Sequence, residues 1–400
     1  MISKFRIGAL VIILNFFASV AMIWGQDNPS LLQMAVPSLN IAPDARGGGM
    51  GDMGAATLPD INSQYWNAAK YAFMGSKAGV SLSYTPWLRK LVNDVALVNM
   101  TGYYKLGNSD LQAISASLRY FSLGEVNIWE NIGDVPYGLN PYEMAFDVAY
   151  SRKLSESYSM AVTLRYIRSD MGTDQNDESN AGNAFSADTA YTVDQMGKIA
   201  DISGYLEKYV LMGNAEALWS FGFNLSNIGS KISYDGGNTN QYLPAKLTLG
   251  TGLLYPIDDY NQIGVYLDLN KYMVPYAPQK EEGETDADYQ TRVDDYKSWS
   301  SLSGMLKSFT DSPNGLLKEI MVSVGAEYSY NQQFFVRGGY FYENANVGNR
   351  KYFSVGAGFR MSVFQLDAAY LVSTVPQNPL DQTLRFSLSF DMDGIKNLFR

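Results

Sequence analysis

The run Ile320-Met-Val-Ser-Val-Gly-Ala-Glu-Tyr-Ser-Tyr330 decides the fold class. Ile320, Val322, Val324, Ala326, Tyr328 and Tyr330 alternate with Met321, Ser323, Gly325, Glu327 and Ser329. Farther on, Leu384, Phe386, Leu388 and Phe390 alternate with Arg385, Ser387, Ser389 and Asp391. Side chains of a strand point to opposite faces with a period of two, so each segment has one apolar face and one small, polar or charged face. A strand of about nine to eleven residues, tilted near 45°, just crosses a hydrocarbon core. Such segments recur from about Ala78 to Asp391, and together they predict an all-β transmembrane barrel.

Fourteen candidate strands fall at 78–85, 94–105, 111–122, 142–153, 158–169, 184–194, 216–227, 243–255, 261–272, 319–330, 333–343, 351–361, 363–373 and 383–391. An even number suits a closed antiparallel barrel with both ends on one side. The connections give an independent check, because outer-membrane barrels have short periplasmic turns and longer outer loops. Leu106–Asp110, Leu154–Ser157, Pro256–Tyr260, Asn331–Gln332 and the bend at Ser362 are tight, as periplasmic turns should be. Leu123–Pro141, Asp170–Asn183, Ile228–Tyr242 and Met273–Lys318 read as outer loops. One connection breaks the rule. Gln195–Ala215 is either a long periplasmic insert, with a short helix around Tyr205–Met212, or the mark of a misplaced strand.

Composition narrows the function. The chain has 29 Tyr, 19 Phe and 6 Trp, enough for the aromatic girdles of a membrane barrel, although aromatics also favour strands generally. It has neither Cys nor His, so disulfides, thiol chemistry and His-dependent triads are excluded. Carboxylates or Lys remain as catalysts in principle, but no constellation marks a site, and the chain reads as a non-enzyme with no cofactor and no metal. The acid-rich Lys280–Asp295 stretch lacks a calcium-loop pattern and reads as a solvated charge run. A net charge of -10 argues against nucleic acid as a partner.

Lys4 and Arg6 before the apolar run Ile7–Trp24 read as a secretory signal peptide, residues 1–25, in preference to a membrane-anchoring helix because no basic stop-transfer flank follows, with Ser19-Val20-Ala21 as a competing cleavage site. Exported without a further membrane helix, the chain is integral only as a barrel in an outer membrane. Residues 26–77 have a different texture, and residues 78–400 form the barrel. Leu39–Ala69, LNIAPDARGGGMGDMGAATLPDINSQYWNAA, shows no strand alternation. Its Gly49, Gly51 and Gly54 match G-x-G-x-x-G, but the βαβ context of a dinucleotide site is absent. Small residues that let backbone pack closely inside a barrel account for the glycines better.

Lumen-facing charges of both signs strengthen that reading: Asp147, Arg165, Asp188, Lys246, Asp268, Glu327, Arg337, Arg360, Asp367 and Arg385. Buried charges are costly unless paired, so a plugged lumen would pair them. Asp44, Arg46, Gly49, Gly51, Gly54, Tyr65, Trp66 and Asn67 are the expected plug, or hatch, residues.

Pro43–Ala69 resembles the N-terminal signature of the PorV/PorQ family of Bacteroidetes outer-membrane proteins. So do Tyr120-Phe-Ser-Leu-Gly-Glu-Val126 and Asn224-Leu-Ser-Asn-Ile-Gly-Ser-Lys-Ile-Ser-Tyr234. The likeness spans nearly the whole mature chain, and the long Met273–Lys318 loop together with the Gln195–Ala215 insert points to the PorV branch. The resemblance implies a FadL-like fourteen-stranded barrel of the type IX secretion system. It also implies binding of the C-terminal signal domain of secreted cargo, association with the secretion channel, and delivery to a sortase-type complex that attaches cargo to anionic lipopolysaccharide. A FadL-like transporter of hydrophobic small molecules is the alternative, resting on fold analogy.

A cargo-binding surface needs exposed apolar anchors amid polar loop residues. The outer loops offer Trp87, Leu88, Trp129, Ile132 and Tyr137. Trp299, Leu302, Met305, Leu306 and Phe309 add a second group, in which the last four share one helical face. Trp87 suits an interfacial girdle equally well.

Overall fold

The computed structural model describes residues 32–89, 94–107, 110–128, 135, 137–170, 200–233, 240–313, 315–375 and 380–392. The expected signal peptide, the expected strand at 184–194 with Asp188, and the rim candidates Trp129 and Ile132 lie outside these residues.

Fourteen antiparallel strands close into a barrel. They are β1 (Ala78–Pro86), β2 (Ala96–Leu106), β3 (Gln112–Ser122), β4 (Tyr142–Lys153), β5 (Tyr158–Asp170), β6 (Ala200–Met212) and β7 (Ala215–Ile228). The second half comprises β8 (Lys246–Pro256), β9 (Asn261–Tyr272), β10 (Met321–Tyr330), β11 (Phe334–Tyr342), β12 (Lys351–Arg360), β13 (Phe364–Ser373) and β14 (Leu384–Asp391). Each strand pairs with its sequence neighbour, and β14 returns to β1 with Leu388 opposite Leu82. Closure leaves no unpaired strand edge, as a hydrocarbon surround demands.

The alternation read from the sequence sets the two faces. On β10, Ser323, Glu327 and Ser329 are buried inward, and Tyr328 and Tyr330 lie exposed on the outer wall. Outward-facing Leu, Val, Ile, Phe and Tyr recur on every side of the barrel. Among the described residues no helix is long and apolar enough to cross a membrane.

The structure corrects one strand. The sequence leaves 195–215 open between a long insert with a helix near Tyr205–Met212 and a misplaced strand; the structure excludes the insert and its helix, because Ala200–Met212 is barrel strand β6. It pairs with β5 through Val162 and Ile202, and with β7 across a turn at Gly213, whose φ is 67°. The pattern hid because this strand inverts the usual chemistry. Its wall position Gly204 has no side chain, while the large Tyr205 points inward and is fully buried. A β-bulge between Ala200 and Ile202 also interrupts the period. With β6 in place, the rule of short turns at one end has no exception among the described connections.

Those turns have local causes. Asn331 and Gln332 both take positive φ, 52° and 54°, matching the two-residue turn that suits twisted hairpins. The opposite end carries the long connections, including 273–320 with helices Asp286–Ser298 and Ser301–Lys307.

Candidate functional site: a filled lumen beneath an apolar rim

The segment before β1 runs down the inside of the barrel. Leu32 and Met34 pack against Tyr272, Met321 and Phe341 at the long-loop end. At the short-turn end, the Met74 carbonyl accepts from Lys105 Nζ at 2.7 Å. Between them the segment is built from short pieces, a 3-10 turn at Pro37–Asn40 and helical turns at Ala45–Gly48 and Ser63–Trp66. Such irregular backbone exposes many N–H and C=O groups, and each buried one needs a partner.

The barrel wall supplies these partners from all sides. Asp268 Oδ2 on β9 accepts from the Gly54 and Ala55 amides at 2.9 and 3.0 Å. Ser387 on β14 accepts from the Ala45 amide at 2.9 Å, and Ser354 on β12 accepts from Gly51 at 2.8 Å. Ser220 on β7 donates to the Ala56 carbonyl at 2.6 Å, and Ser159 on β5 donates to that of Ala69 at 2.8 Å. The small polar residues of the strand alternation are therefore a hydrogen-bonding lining cut to this segment.

The Pro43–Gly49 motif has a specific job. Asp44 caps the first helical turn by accepting from the Gly47 amide at 2.8 Å, and it also accepts from Trp66 Nε1 at 2.6 Å. Arg46 reaches the wall, pairing with Glu327 at 2.8 Å and with Asp60 at 2.7 Å. Glu327 also pairs with Arg337 and Arg337 with Asp367, each at 2.6 Å. A second link joins Asp52 to Arg385, with Tyr352 donating to Asp52 at 2.5 Å. On the wall itself, Arg165 bridges Asp147 at 2.6 Å and Asp201 at 2.9 Å.

Among the other predicted lumen charges, Lys246 Nζ lies 5.7 Å from the centre of the Tyr65 ring. Arg360 sits at the short-turn end, over Phe335 and bonded to Gln365 at 2.7 Å. Tyr65 contacts Trp66 edge-on and carries the Arg119 guanidinium over its face at 4.6 Å. Asn67 donates to the Ala55 and Gly204 carbonyls, both at 2.9 Å.

The glycines are explained by close approach. Gly51 has φ of 84°, and a Cβ there would lie 2.9 Å from the Tyr340 backbone. On the wall, a Cβ at Gly339 would fall 2.0 Å from the Met50 carbonyl carbon, and one at Gly222 would fall 1.9 Å from the Ala55 oxygen. Gly49 and Gly54 abut Gly356 and Trp66. The G-x-G-x-x-G match is thus a packing feature.

The long-loop end has the opposite character. Helix Asp286–Ser298 has no buried residue at all. Arg292 holds Glu284 at 2.6 Å and so keeps its carboxyl below the usual carboxylate range. Lys280 pairs with Asp286 at 2.6 Å, so much of the acid run is spent on local cations. The helix is tied to the mouth by aromatic edges, Tyr242 to Tyr296 and Tyr296 to Trp299, both with ring centres 5.7 Å apart. Lys307 lies over Trp299 at 3.5 Å.

The helical spacing of Leu302, Met305, Leu306 and Phe309 corresponds to a real helix, Ser301–Lys307, but the four residues divide. Met305 turns inward onto Ala245 and Met273, and Gly304 lets the helix close on the Tyr242 ring. Leu302 and Leu306 face solvent, 64% and 74% exposed, with Phe309 half-shielded beneath Lys271. Leu317, 82% exposed, extends this apolar rim and was not singled out from sequence, although the Leu316-Leu317 pair after Gly315 is a visible signal.

The other rim candidates do not join this stripe. Trp87 packs with Ile41, Val95, Leu97 and Phe121 in a cluster under the mouth, and Leu88 takes a positive φ in the turn beyond. Tyr137 pairs through its backbone with Ile128 in a small hairpin, Val126–Ile128 with Tyr137–Leu139.

Among the solved structures that resemble this fold at low identity are three barrels. The Pseudomonas putida toluene transporter TodX is 10% identical, covering 91% of this chain and 99% of its own at a TM-score of 0.47. The Ralstonia pickettii toluene transporter TbuX is 12% identical, covering 88% and 97% at 0.43. A Pseudomonas aeruginosa FadL homologue is 13% identical, covering 90% and 100% at 0.42. No curated protein sequence matches the chain. The family model for the type IX secretion system protein PorV matches residues 25–280, well over half of the chain and including the inner segment and barrel strands β1 to β9. On that match this outer-membrane β-barrel belongs to the PorV family of type IX secretion proteins.

Proposed function

We propose that this protein binds the C-terminal signal domain of secreted cargo at its outer rim. It then carries the cargo from the type IX translocon channel to the sortase-type complex that attaches it to anionic lipopolysaccharide. The carrying observation is the apolar rim, where Leu302, Leu306 and Leu317 stand in solvent above a lumen already occupied by the chain's own N-terminal segment. Exposed apolar side chains ringed by polar residues are the usual basis of a protein interface, and a few of them carry most of the binding energy. Residues 26–77 act as the plug in this reading, with Arg46, Asp52 and the glycines keeping it seated. The barrel is scaffold and contributes no chemistry of its own.

Transport of hydrophobic small molecules has weaker support. The lumen wall is lined by Ser, Asp, Glu and Arg bonded to the inner segment, a poor path for an apolar solute.

Co-purification tests the proposal. Tagged protein from solubilised outer membranes should bring down proteins carrying the C-terminal signal domain. Normal cargo export and surface attachment in a deletion strain would sink the proposal.

A further inference from the structure

A small cavity of about 30 Å³ lies between the inner segment and the barrel wall, toward the long-loop end of the lumen. The inner segment lends it Asn40, Asp52 and Tyr65. The wall lends it Lys246, the first residue of β8, Asn270 near the end of β9, and Arg350 just before β12.

Unused donors meet at this cavity. Lys246 Nζ lies 5.7 Å from the centre of the Tyr65 ring and makes no ion pair or hydrogen bond among the described residues. Asn270 accepts from the Thr248 hydroxyl through Oδ1 at 2.7 Å, and its Nδ2 has no acceptor among the described residues. Arg350 holds Glu343 through Nε and Nη2, at 2.7 and 2.9 Å, and its Nη1 is likewise without an acceptor there. The acids are already taken. Asp52 receives Arg385 and the Tyr352 hydroxyl. Asp268, the other acid close enough to act on Lys246, accepts from the Gly54 and Ala55 amides. Of the three charged residues that line the cavity, Lys246 is the one with no partner of opposite sign among the described residues.

We infer that this cavity binds one halide-sized inorganic anion, chloride in ordinary buffers, against Lys246 Nζ with the Asn270 amide as second donor. An ammonium held inside the lumen needs a negative partner, which water does not supply. The unused groups of Lys, Arg and the Asn amide nitrogen donate and cannot accept, so they suit an anion and repel a cation. The volume holds about two water-sized bodies at roughly 10–15 Å³ each, too little for an organic anion. The ion sits where β8 and β9 face the inner segment, and so braces that segment against the wall beside Asp52 and Tyr65. This concerns the seating of the inner segment and is independent of cargo binding.

Two measurements on the full-length barrel test the site. Crystals grown with bromide in place of chloride should show an anomalous peak in the cavity, within hydrogen-bonding reach of Lys246 Nζ. Lys246→Met keeps much of the side-chain length, removes the charge and should abolish the peak. Lys208→Met, at an exposed position on β6, is the control and should keep it. The thermal unfolding temperature of wild type should rise when gluconate, too large for the cavity, is exchanged for chloride at constant ionic strength. In Lys246→Met that exchange should have no effect, and heat-modifiable gel migration confirms that each variant is folded. A wild type with no bromide peak, a peak undiminished in Lys246→Met, or the same response to chloride in both proteins would each overturn the inference.

Discussion

The lumen and the rim of this barrel solve opposite problems with the same chain. Inside, irregular backbone is surrounded by Ser, Asp and Arg side chains, and Gly339 and Gly222 admit it to contact distances that no Cβ could allow. At the rim, a helix with no buried residue adjoins another that turns Met305 inward and leaves Leu302 and Leu306 in water. The inner contacts pair most of the polar groups they bury, leaving a few such as Gln64 Nε2 and Asp268 Oδ1 without a partner, whereas the rim leaves apolar side chains in solvent. The difference separates a region held by its own contacts from one whose apolar side chains stand in solvent.

The largest effect should come from breaking the inner contacts. Arg46→Ala leaves Glu327 and Asp60 short of a buried cation, and removal of one partner of a buried pair costs about 3–5 kcal/mol. We expect lower resistance to heat or denaturant and, in planar bilayers, raised conductance as the segment loosens. Gly339→Val drives a side chain into the Met50 backbone and should unseat the segment at a different height, with conductance again the readout.

The rim should respond in the opposite way. Leu302→Asp with Leu306→Asp should shift barrel stability by no more than about 0.5 kcal/mol per site, because both side chains are already exposed. Binding to an isolated cargo signal domain should weaken by about 2 kcal/mol or more if these residues are anchors, measured by titration calorimetry. Met305→Ala lies between the two regions. It should loosen the long loop, seen as faster amide exchange over 301–309, while the barrel holds.

The smallest effect concerns the loop helix. Arg292 depresses the Glu284 carboxyl, so this contact favours the ordered loop above the ordinary Glu range, near about 4.3, and is lost as pH falls through the depressed value. In Arg292→Ala the Glu284 titration followed by NMR should move up toward that ordinary value.

Much of this contrast was legible in the sequence. The alternation from Ile320 to Tyr330 gave the faces of β10 directly, and inward charges of both signs announced that something would sit among them. Strand β6 was illegible for a physical reason. Gly204 faces outward and Tyr205 inward because Asn67 and the wall close around them, a demand of tertiary packing that no period-two rule contains. At the rim, helical spacing located Ser301–Lys307, but spacing alone could not say that Met305 turns down while its neighbours turn out. That choice depends on Ala245 and Met273, which are distant in sequence.

The most direct test of the central claim measures binding of a purified C-terminal signal domain to the full-length barrel, wild type against Leu302→Asp with Leu306→Asp. The account predicts saturable binding to wild type and a loss of about thirtyfold in the variant, with unchanged thermal unfolding. Equal affinity for both proteins would contradict it, and would move cargo recognition off this rim.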